Sequence, residues 1–307
     1  MDIGVVMLVK NEALRIEGAL VPILDQFAQV IVLDTGSTDG TQDLLRERLR
    51  IEPIAAKLDH DQFGGYARLR NHGLAMLKTP WCLTLDADER LDPAGLRLLR
   101  KSRPAAGIGG IFLCWRNLVE NADSFDDYKC ILFRRGFNKV GLIHENVQPS
   151  LRRHGATAQW SDAVILEHHP EARKNAWKRE TYRNLLLLAM KTEPTVPRYP
   201  WFAGYAALRE DNLDEAEHWL SLAANSQHPH YPVERLNAQI ALTAVSAKCG
   251  NRAGTLTNHA LAKKMFEDLR DDFEVRVNYW YEPWIDQAID IINSSELEQL
   301  SIPRFAC

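Results

Sequence analysis

Trp81-Cys82-Leu83-Thr84-Leu85-Asp86-Ala87-Asp88-Glu89 is the stretch on which the fold turns. Aromatic, β-branched and leucine side chains in unbroken succession predict a buried strand, and acids crowd its end. Carboxylates so placed would line the mouth of a sheet. In extended chain, residues i and i+2 share a face, so Asp86 and Asp88 are expected to converge on one point. Two hard oxygen donors with open positions suit Mg²⁺ or Mn²⁺ shared with a phosphate. The competing reading is an acidic turn leading into a helix opened by Pro93.

Upstream, Ile3 to Leu8 is a continuous apolar run, as expected of a strand covered on both faces. After Lys10-Asn11-Glu12, helical spacing runs from Ala13 to Leu24, and Val30 to Leu33 reads as a second buried strand. Strand, helix, strand with short joints is a βαβ unit, so the sheet is largely parallel and its ligands belong at the carboxyl ends of the strands. Asp34 sits at such an end, where an acid accepts hydrogen bonds from a nucleoside in dinucleotide folds. Ser37 or Thr38 is expected to cap a helix over Gln42 to Leu49. Ile51 to Lys57 reads as a third strand and Asp59 to Gly65 as a polar loop. Tyr66 to Leu77 is helical by spacing and brings Arg68, Arg70, Asn71 and His72 near the acidic strand end. The fork of Arg70 suits a diphosphate, whereas Arg68 reads as a solvated face. Asp92 and Pro93 predict the start of the next helix.

Downstream, Ile111 to Trp115 and Lys129 to Phe133 have strand character, with an acidic loop from Glu120 to Asp127 between them to shape an acceptor site. His144 with Glu145, and His168 with His169, stand paired at the ends of apolar segments, a placement that suits function as well as structure. His154 reads as a structural histidine. From Arg173 the texture becomes helical: Tyr199 to Glu210, Leu213 to Ala224, Pro232 to Lys248 and Thr257 to Leu269 follow in succession. Small residues at Gly204, Ala207 and Ala216, with Leu213-Asp214-Glu215-Ala216, suggest a tetratricopeptide-type helix pair, with a degenerate second pair from Val233. Trp280, Tyr281 and Trp284 read as a capping core. The domains are therefore expected at 1–172 and 173–307.

The 307 residues carry a formal net charge of -4, with 46% hydrophobic and 25% charged residues, which is ordinary globular material and gives no ground for a nucleic-acid partner. The N-terminus starts directly on a strand pattern without the marks of a signal peptide, and no uncharged run is long enough to span a bilayer. Five scattered cysteines without C-x-x-C spacing read as reduced packing residues, so a cytoplasmic protein is expected, placed against the inner face of the membrane if its acceptor lies there.

Taken together, Val9-Lys10-Asn11-Glu12, Val32-Leu33-Asp34-Thr35-Gly36-Ser37-Thr38-Asp39-Gly40-Thr41, Arg70-Asn71 and Leu85-Asp86-Ala87-Asp88-Glu89 resemble, in order and spacing, the GT-A glycosyltransferases of the inverting family 2. The resemblance extends through Leu132-Phe133-Arg134, Gly141-Leu142-Ile143-His144-Glu145 and the His168 region. It implies a Rossmann-like, mostly parallel α/β catalytic domain, here followed by an all-α, repeat-like domain. It further implies a nucleotide-diphosphate sugar donor, Mn²⁺ or Mg²⁺, and inversion at the anomeric carbon. Carried over, Asp34 would contact the nucleoside, Asp86 the ribose or a metal water, and Asp88 the metal, with His168 as a further ligand and Arg70 or Arg134 sharing the diphosphate charge. Thr35 stands where the family commonly has a second acid, and the usual base motif before a Q-x-x-R-W helix is missing, which leaves Glu145 as the candidate base and Asp126 and Asp127 next in line. The acceptor would be an envelope glycan, a lipid-linked sugar or a peptide, and exposed aromatics on the helical half would suit pairing of two chains. The rival readings are a sugar nucleotidyltransferase, which would normally show a basic glycine-rich loop after the first strand, and a non-catalytic scaffold.

Overall fold

The computed structural model describes residues 1–58, 65–118, 124–170, 176–278 and 280–302. The chain divides into two compact units, Met1–Asn175 and Ala176–Cys307.

The first unit is built on one sheet of eight strands: β1 (Ile3–Val9), β2 (Gln29–Asp34), β3 (Ile54–Ala55), β4 (Trp81–Leu85), β5 (Glu89–Leu91), β6 (Ile108–Asn117), β7 (Phe125–Arg134) and β8 (Thr157–His168). They lie in the order β3-β2-β1-β4-β7-β6-β8-β5. The β3-β2-β1-β4 side is parallel, β7 joins β4 and β6 antiparallel, β8 runs parallel to β6, and β5 closes antiparallel on β8. β1 and β4 are buried along almost their whole length, because each is flanked by strands on both sides and covered on both faces.

Helices α1 (Ile16–Leu20), α2 (Thr41–Asp43, continued as a π-helical turn over Leu44–Arg48), α3 (Gly65–Met76), α4 (Pro93–Lys101) and α5 (Gln148–Arg153) complete the unit. α3 packs on β1 and β2. Its close approach depends on Gly73, where an added Cβ would stand 2.7 Å from Val6 Cγ1. α4 begins as expected, with Pro93 in its first turn and Asp92 accepting from Ala94 N at 3.0 Å and Gly95 N at 2.8 Å.

Several elements differ from the sequence expectation. The helix after β1 is a single short turn, since Leu14 is fully exposed and no longer follows the buried face. Gly40, at φ 93°, precedes α2 and supplies no side-chain cap, because Ser37 and Thr38 are drawn into contacts with Asn11. Asp126 and Asp127 lie on β7, not in a loop, and Asp126 is held at 2.9 Å by Arg116 across the β6–β7 ladder. The polar loop before α3 and the tip of the acidic loop (59–64 and 119–123) fall outside the described residues.

The second unit is helical: α6 (Ala176–Thr192), α7 (Arg198–Arg209), α8 (Leu213–Ala224), α9 (Pro232–Lys248), α10 (Arg252–Leu269), α11 (Phe273–Val277) and α12 (Tyr281–Asn293). Successive helices from α6 to α10 pack on one another. α7 and α8 approach at Gly204, where a Cβ would stand 2.7 Å from Leu220 Cγ. Tyr281 is buried in a core with Val233, Leu236, Ile240, Ala262 and Val275, and Trp280 and Trp284 pack against it. These three aromatics form a core, as expected of a capping cluster. No helix among the described residues is long and apolar enough to cross a membrane.

Candidate active site at the carboxyl edge of the sheet

Asp34 ends β2 in register with Val9 at the end of β1, and Leu85, the last residue of β4, pairs with Met7 on the other flank of β1. Adjacent strands are about 4.8 Å apart, so Asp34 and Asp86 open onto one edge, two strand spacings from each other. Asp34 is 2% exposed. Its Oδ1 accepts from Gly36 N and Ser37 N, each at 2.8 Å, and from Gln42 Nε2 at 3.1 Å. Its Oδ2 is buried without a partner. Burial alone would raise this acid's pKa, but the hydrogen bonds from Ser37, Gly36 and Gln42 outweigh it and hold the carboxyl below its ordinary range. A buried anionic oxygen that lacks a donor is a place for a ligand N–H or O–H.

The loop after β2 is tied to the loop after β1. Asn11 N donates to Ser37 Oγ and Thr38 N to Asn11 Oδ1, both at 2.8 Å, while Glu12 N donates to Thr41 Oγ1 at 2.8 Å and Ala13 N to Asp39 Oδ2 at 3.0 Å. The two motifs of the sequence, Lys10-Asn11-Glu12 and Ser37 to Thr41, therefore form one scaffold around Asp34.

The acidic strand end does not continue extended. Glu89 N donates to Asp86 O at 3.1 Å and Asp86 N to Glu89 Oε2 at 3.0 Å, which closes a turn over Ala87 and Asp88. The i, i+2 rule does not apply across a turn, and Asp86 and Asp88 meet different partners. Asp86 Oδ1 meets Arg70 Nη2 at 2.6 Å and Oδ2 faces Lys129 Nζ at 3.8 Å. Burial would raise its pKa, but Arg70 and Lys129 outweigh burial and keep the carboxyl well below the usual range. Both oxygens of Asp86 thus face cationic side chains, Arg70 and Lys129. Lys129 in turn meets Glu89 Oε1 at 2.5 Å and lies 4.8 Å over the Trp115 ring.

Asp88 belongs to the end of β8. Its carbonyl accepts from His169 N at 2.8 Å, and its Oδ2 lies 3.6 Å from His168 Nε2. β8 brings His168 between Asn117 on β6 and Glu89 on β5. His168 Nδ1 is 2.9 Å from Asn117 Oδ1, and Asn117 Nδ2 donates to Trp115 O at 3.4 Å. Asn117 thereby presents its oxygen to His168 Nδ1, while Nε2 faces the Asp88 carboxylate. A carboxylate oxygen and an imidazole nitrogen facing each other at this distance would fit a cation between them. Among the described residues no group of three metal-binding side chains converges. One carboxylate and one imidazole suit a divalent ion that completes its shell from substrate phosphate and water.

Glu145 reaches the same edge from the loop between β7 and α5. Its Oε1 lies 2.6 Å from Arg70 Nε, and its side chain is 12% exposed. Arg70 is thus shared by Glu145 and Asp86, and charge alternates along Glu145, Arg70, Asp86, Lys129 and Glu89. Burial disfavours charge on Arg70, but the two carboxylates outweigh it and hold the guanidinium protonated. Burial also raises the pKa of the Tyr66 hydroxyl, one turn earlier on α3, and Glu145 adds to the effect. Lys139 is buried, and burial pushes its ammonium down to about 8, against the opposing pull of Glu145.

Arg134 is not brought to this edge. It pairs with Trp81 at the opposite end of β4, where Nε donates to Ile108 O at 2.8 Å, Nη2 donates to Pro104 O at 3.3 Å and Ala105 O at 3.2 Å, and the guanidinium covers the Trp81 ring. Lys129, Lys139, Asn117 and Trp115 were not singled out in the sequence, because only the register of β7 and β6 against β4 and β8 carries the first, third and fourth of them to the edge. His154 is structural, with Nδ1 2.8 Å from Ser150 O.

Residues 4–102 match the model of glycosyl transferase family 2. The chain is 36% identical over 83 residues to the lipopolysaccharide core biosynthesis glycosyltransferase LpsC of Rhizobium meliloti, covering 27% of this chain and 30% of that protein. It is 37% identical over 91 residues to a TPR repeat-containing protein of Synechococcus elongatus, covering 29% of this chain and 21% of that one. The matched stretch spans less than a third of these curated relatives' own length. Among solved structures, S. aureus TarS 1-349 in complex with UDP-GlcNAc aligns with a TM-score of 0.44 at 11% identity, over 87% of this chain and 92% of that chain.

Proposed function

We propose that this chain is a glycosyltransferase that moves a sugar from a nucleotide-diphosphate donor to an acceptor hydroxyl, with a divalent metal and inversion at the anomeric carbon. One observation carries the reading. The segment that matches glycosyl transferase family 2 is the one whose strand ends, Asp34, Asp86 and Asp88, share an edge of the sheet with Glu145 and His168. The similarity to LpsC favours an envelope glycan among the acceptor classes.

In this reading the unpartnered Asp34 Oδ2 accepts a proton donor of the nucleoside. Asp88 and His168 would hold Mn²⁺ or Mg²⁺, which when bound supplies Lewis-acid stabilisation to the departing diphosphate. Glu145 stands at the acceptor. It takes the proton of the attacking hydroxyl as that oxygen bonds to the anomeric carbon, while the bond from that carbon to the diphosphate oxygen breaks and its electron pair leaves with the nucleotide. A single displacement of this kind inverts the centre. General-base help of this type is worth about 10²- to 10⁴-fold. Arg70 orients the Glu145 carboxylate through Oε1, and among the described residues Oε2 takes no hydrogen bond, so it is the oxygen offered to the acceptor.

Incubation of the full chain with Mn²⁺ and a panel of UDP-glucose, UDP-N-acetylglucosamine and GDP-mannose tests this through slow donor hydrolysis. Release of nucleoside diphosphate from one donor is expected. Release of pyrophosphate would mark a nucleotidyltransferase instead, and undiminished hydrolysis by Glu145→Gln would remove Glu145 as the base.

A further inference from the structure

Two neighbouring residues of α3 grip the loop that carries Glu145. Arg70 holds the carboxylate itself. Asn71 holds the backbone: its Nδ2 donates to Lys139 O at 2.9 Å, and Lys139 N donates to its Oδ1 at 2.8 Å. This closes a ring of two hydrogen bonds, the pattern by which one strand pairs with another. The next residue extends it, since Val140 N donates to Asn146 O at 2.8 Å and Asn146 N to Val140 O at 3.1 Å. Glu145 therefore adjoins a backbone pair whose other member, Val140, adjoins Lys139, the residue that Asn71 holds. Within the loop, Gly141 at φ 116° and His144 at φ 52° provide the reversals that fold it so tightly. α3 cannot shift readily beneath it, because Gly73 seats the helix on Val6 of β1.

We propose that Asn71 is a positioning residue for the transfer reaction: by clamping Lys139 it fixes the 139–146 loop and so sets where the Glu145 carboxylate stands. The inference rests on the reading of Glu145 as the base. A primary amide suits the task because it offers a donor and an acceptor in peptide geometry. Aspartate lacks the donor, serine has one group where two are needed, and leucine keeps the volume with neither. A catalytic group displaced by about 1 Å loses on the order of 100-fold in rate.

The test uses full-length parent, Asn71→Leu, Glu145→Gln and the double variant. In Asn71→Leu, hydrogen exchange over 139–147 is expected to rise about tenfold while β1 and β4 stay protected. Donor hydrolysis should fall about 100-fold with UDP affinity nearly unchanged. If Asn71 acts through Glu145, adding Asn71→Leu to Glu145→Gln costs little more than Glu145→Gln alone. Asn71→Asp, which keeps the acceptor, should fall between parent and Asn71→Leu. Unchanged exchange over 139–147, exchange raised throughout the unit, or losses that multiply in the double variant would each overturn the proposal. A parent silent on every donor overturns the transferase reading and the catalytic role with it, and exchange over 139–147 then still decides whether the clamp exists.

Discussion

Arg70 Nε stands 2.6 Å from Glu145 Oε1 while Nη2 of the same guanidinium stands 2.6 Å from Asp86 Oδ1. One cation thus joins two carboxylates delivered by different elements, the end of β4 and the loop before α5. Arg70→Met leaves the carboxylates near each other without it. Removing one partner of a buried pair costs about 3–5 kcal/mol. Asp86 keeps 36% of its side chain exposed, so solvent screening lowers the expectation to about 2 kcal/mol. Arg70→Lys should recover less than half, because an ammonium cannot present a planar fork to both acids. Urea denaturation reads the difference, and an unchanged midpoint for Arg70→Met would show that the bridge contributes nothing.

Asp34→Asn tests the nucleoside contact. The asparagine oxygen can still accept from Gly36, Ser37 and Gln42, but an NH₂ then occupies the position of the unpartnered Oδ2, and a ligand donor meets a donor. A hydrogen bond to a charged group contributes about 1.5–3 kcal/mol, so UDP should bind on the order of 10- to 100-fold more weakly in calorimetry with little change in melting. Equal affinity would mean that Asp34 serves its loop alone.

These two sites differ in how legible they were. Asp34 could be read because a continuous apolar strand ends on it and its partners are its own next few residues. β1, β4, the Asp92 cap and the helices Leu213–Ala224 and Pro232–Lys248 were legible for the same local reason. The extended backbone expected over Asp86 to Asp88 is a turn instead, since a turn closed by Glu89 cannot be told from extension when both are written as acids in a row. Lys129, Asn117 and the double grip of Arg70 depend on strand register and on helix placement between segments far apart in sequence, which no local period encodes.

Two helix joints of the second unit share one geometry. Asp211 (φ 59°) precedes the N-cap Asn212, and Gly250 (φ 68°) precedes the N-cap Asn251. Glycine adopts this backbone freely, whereas a residue with a Cβ is strained by about 1–2 kcal/mol there. Asp211→Gly forfeits an exposed ion pair to Lys248, worth up to about 1 kcal/mol. The net expectation is a gain of about 0.5–1 kcal/mol in thermal or urea unfolding, and a loss would show that the ion pair outweighs the strain.

Lys139 should make stability depend on pH in an unusual sense. Burial lowers its ammonium from 10.5 to about 8. Below pH 8 both folded and unfolded chains carry the proton and the folded state bears the whole cost of the buried charge, about 3 kcal/mol. Between pH 8 and 10.5 the unfolded chain holds the proton and the folded chain does not, so this contribution to stability rises with pH and the cost is gone above 10.5. Lys139→Met removes the charge. It is expected to be more stable than the parent by about 2–3 kcal/mol at pH 7, with the gap closing toward pH 10.5. A gap that stays constant across that range would assign the effect to packing instead.

The separate partners of Asp86 and Asp88 yield a last expectation, for metal binding. If a divalent ion sits between Asp88 and His168, Asp88→Asn and His168→Ala each remove one of two protein donors and should abolish tight Mn²⁺ binding in the presence of UDP, read by the loss of free-ion signal in electron paramagnetic resonance. Asp86→Asn leaves both donors in place, with Asn117 still holding His168 through Nδ1, and should bind Mn²⁺ within a few-fold of the parent. Asn117→Leu should weaken the ion about 10- to 100-fold, because the imidazole loses the partner that turns Nε2 toward Asp88. Equal loss in Asp86→Asn and Asp88→Asn would put both carboxylates on the metal and require Arg70 and Lys129 to release Asp86 when the ion enters.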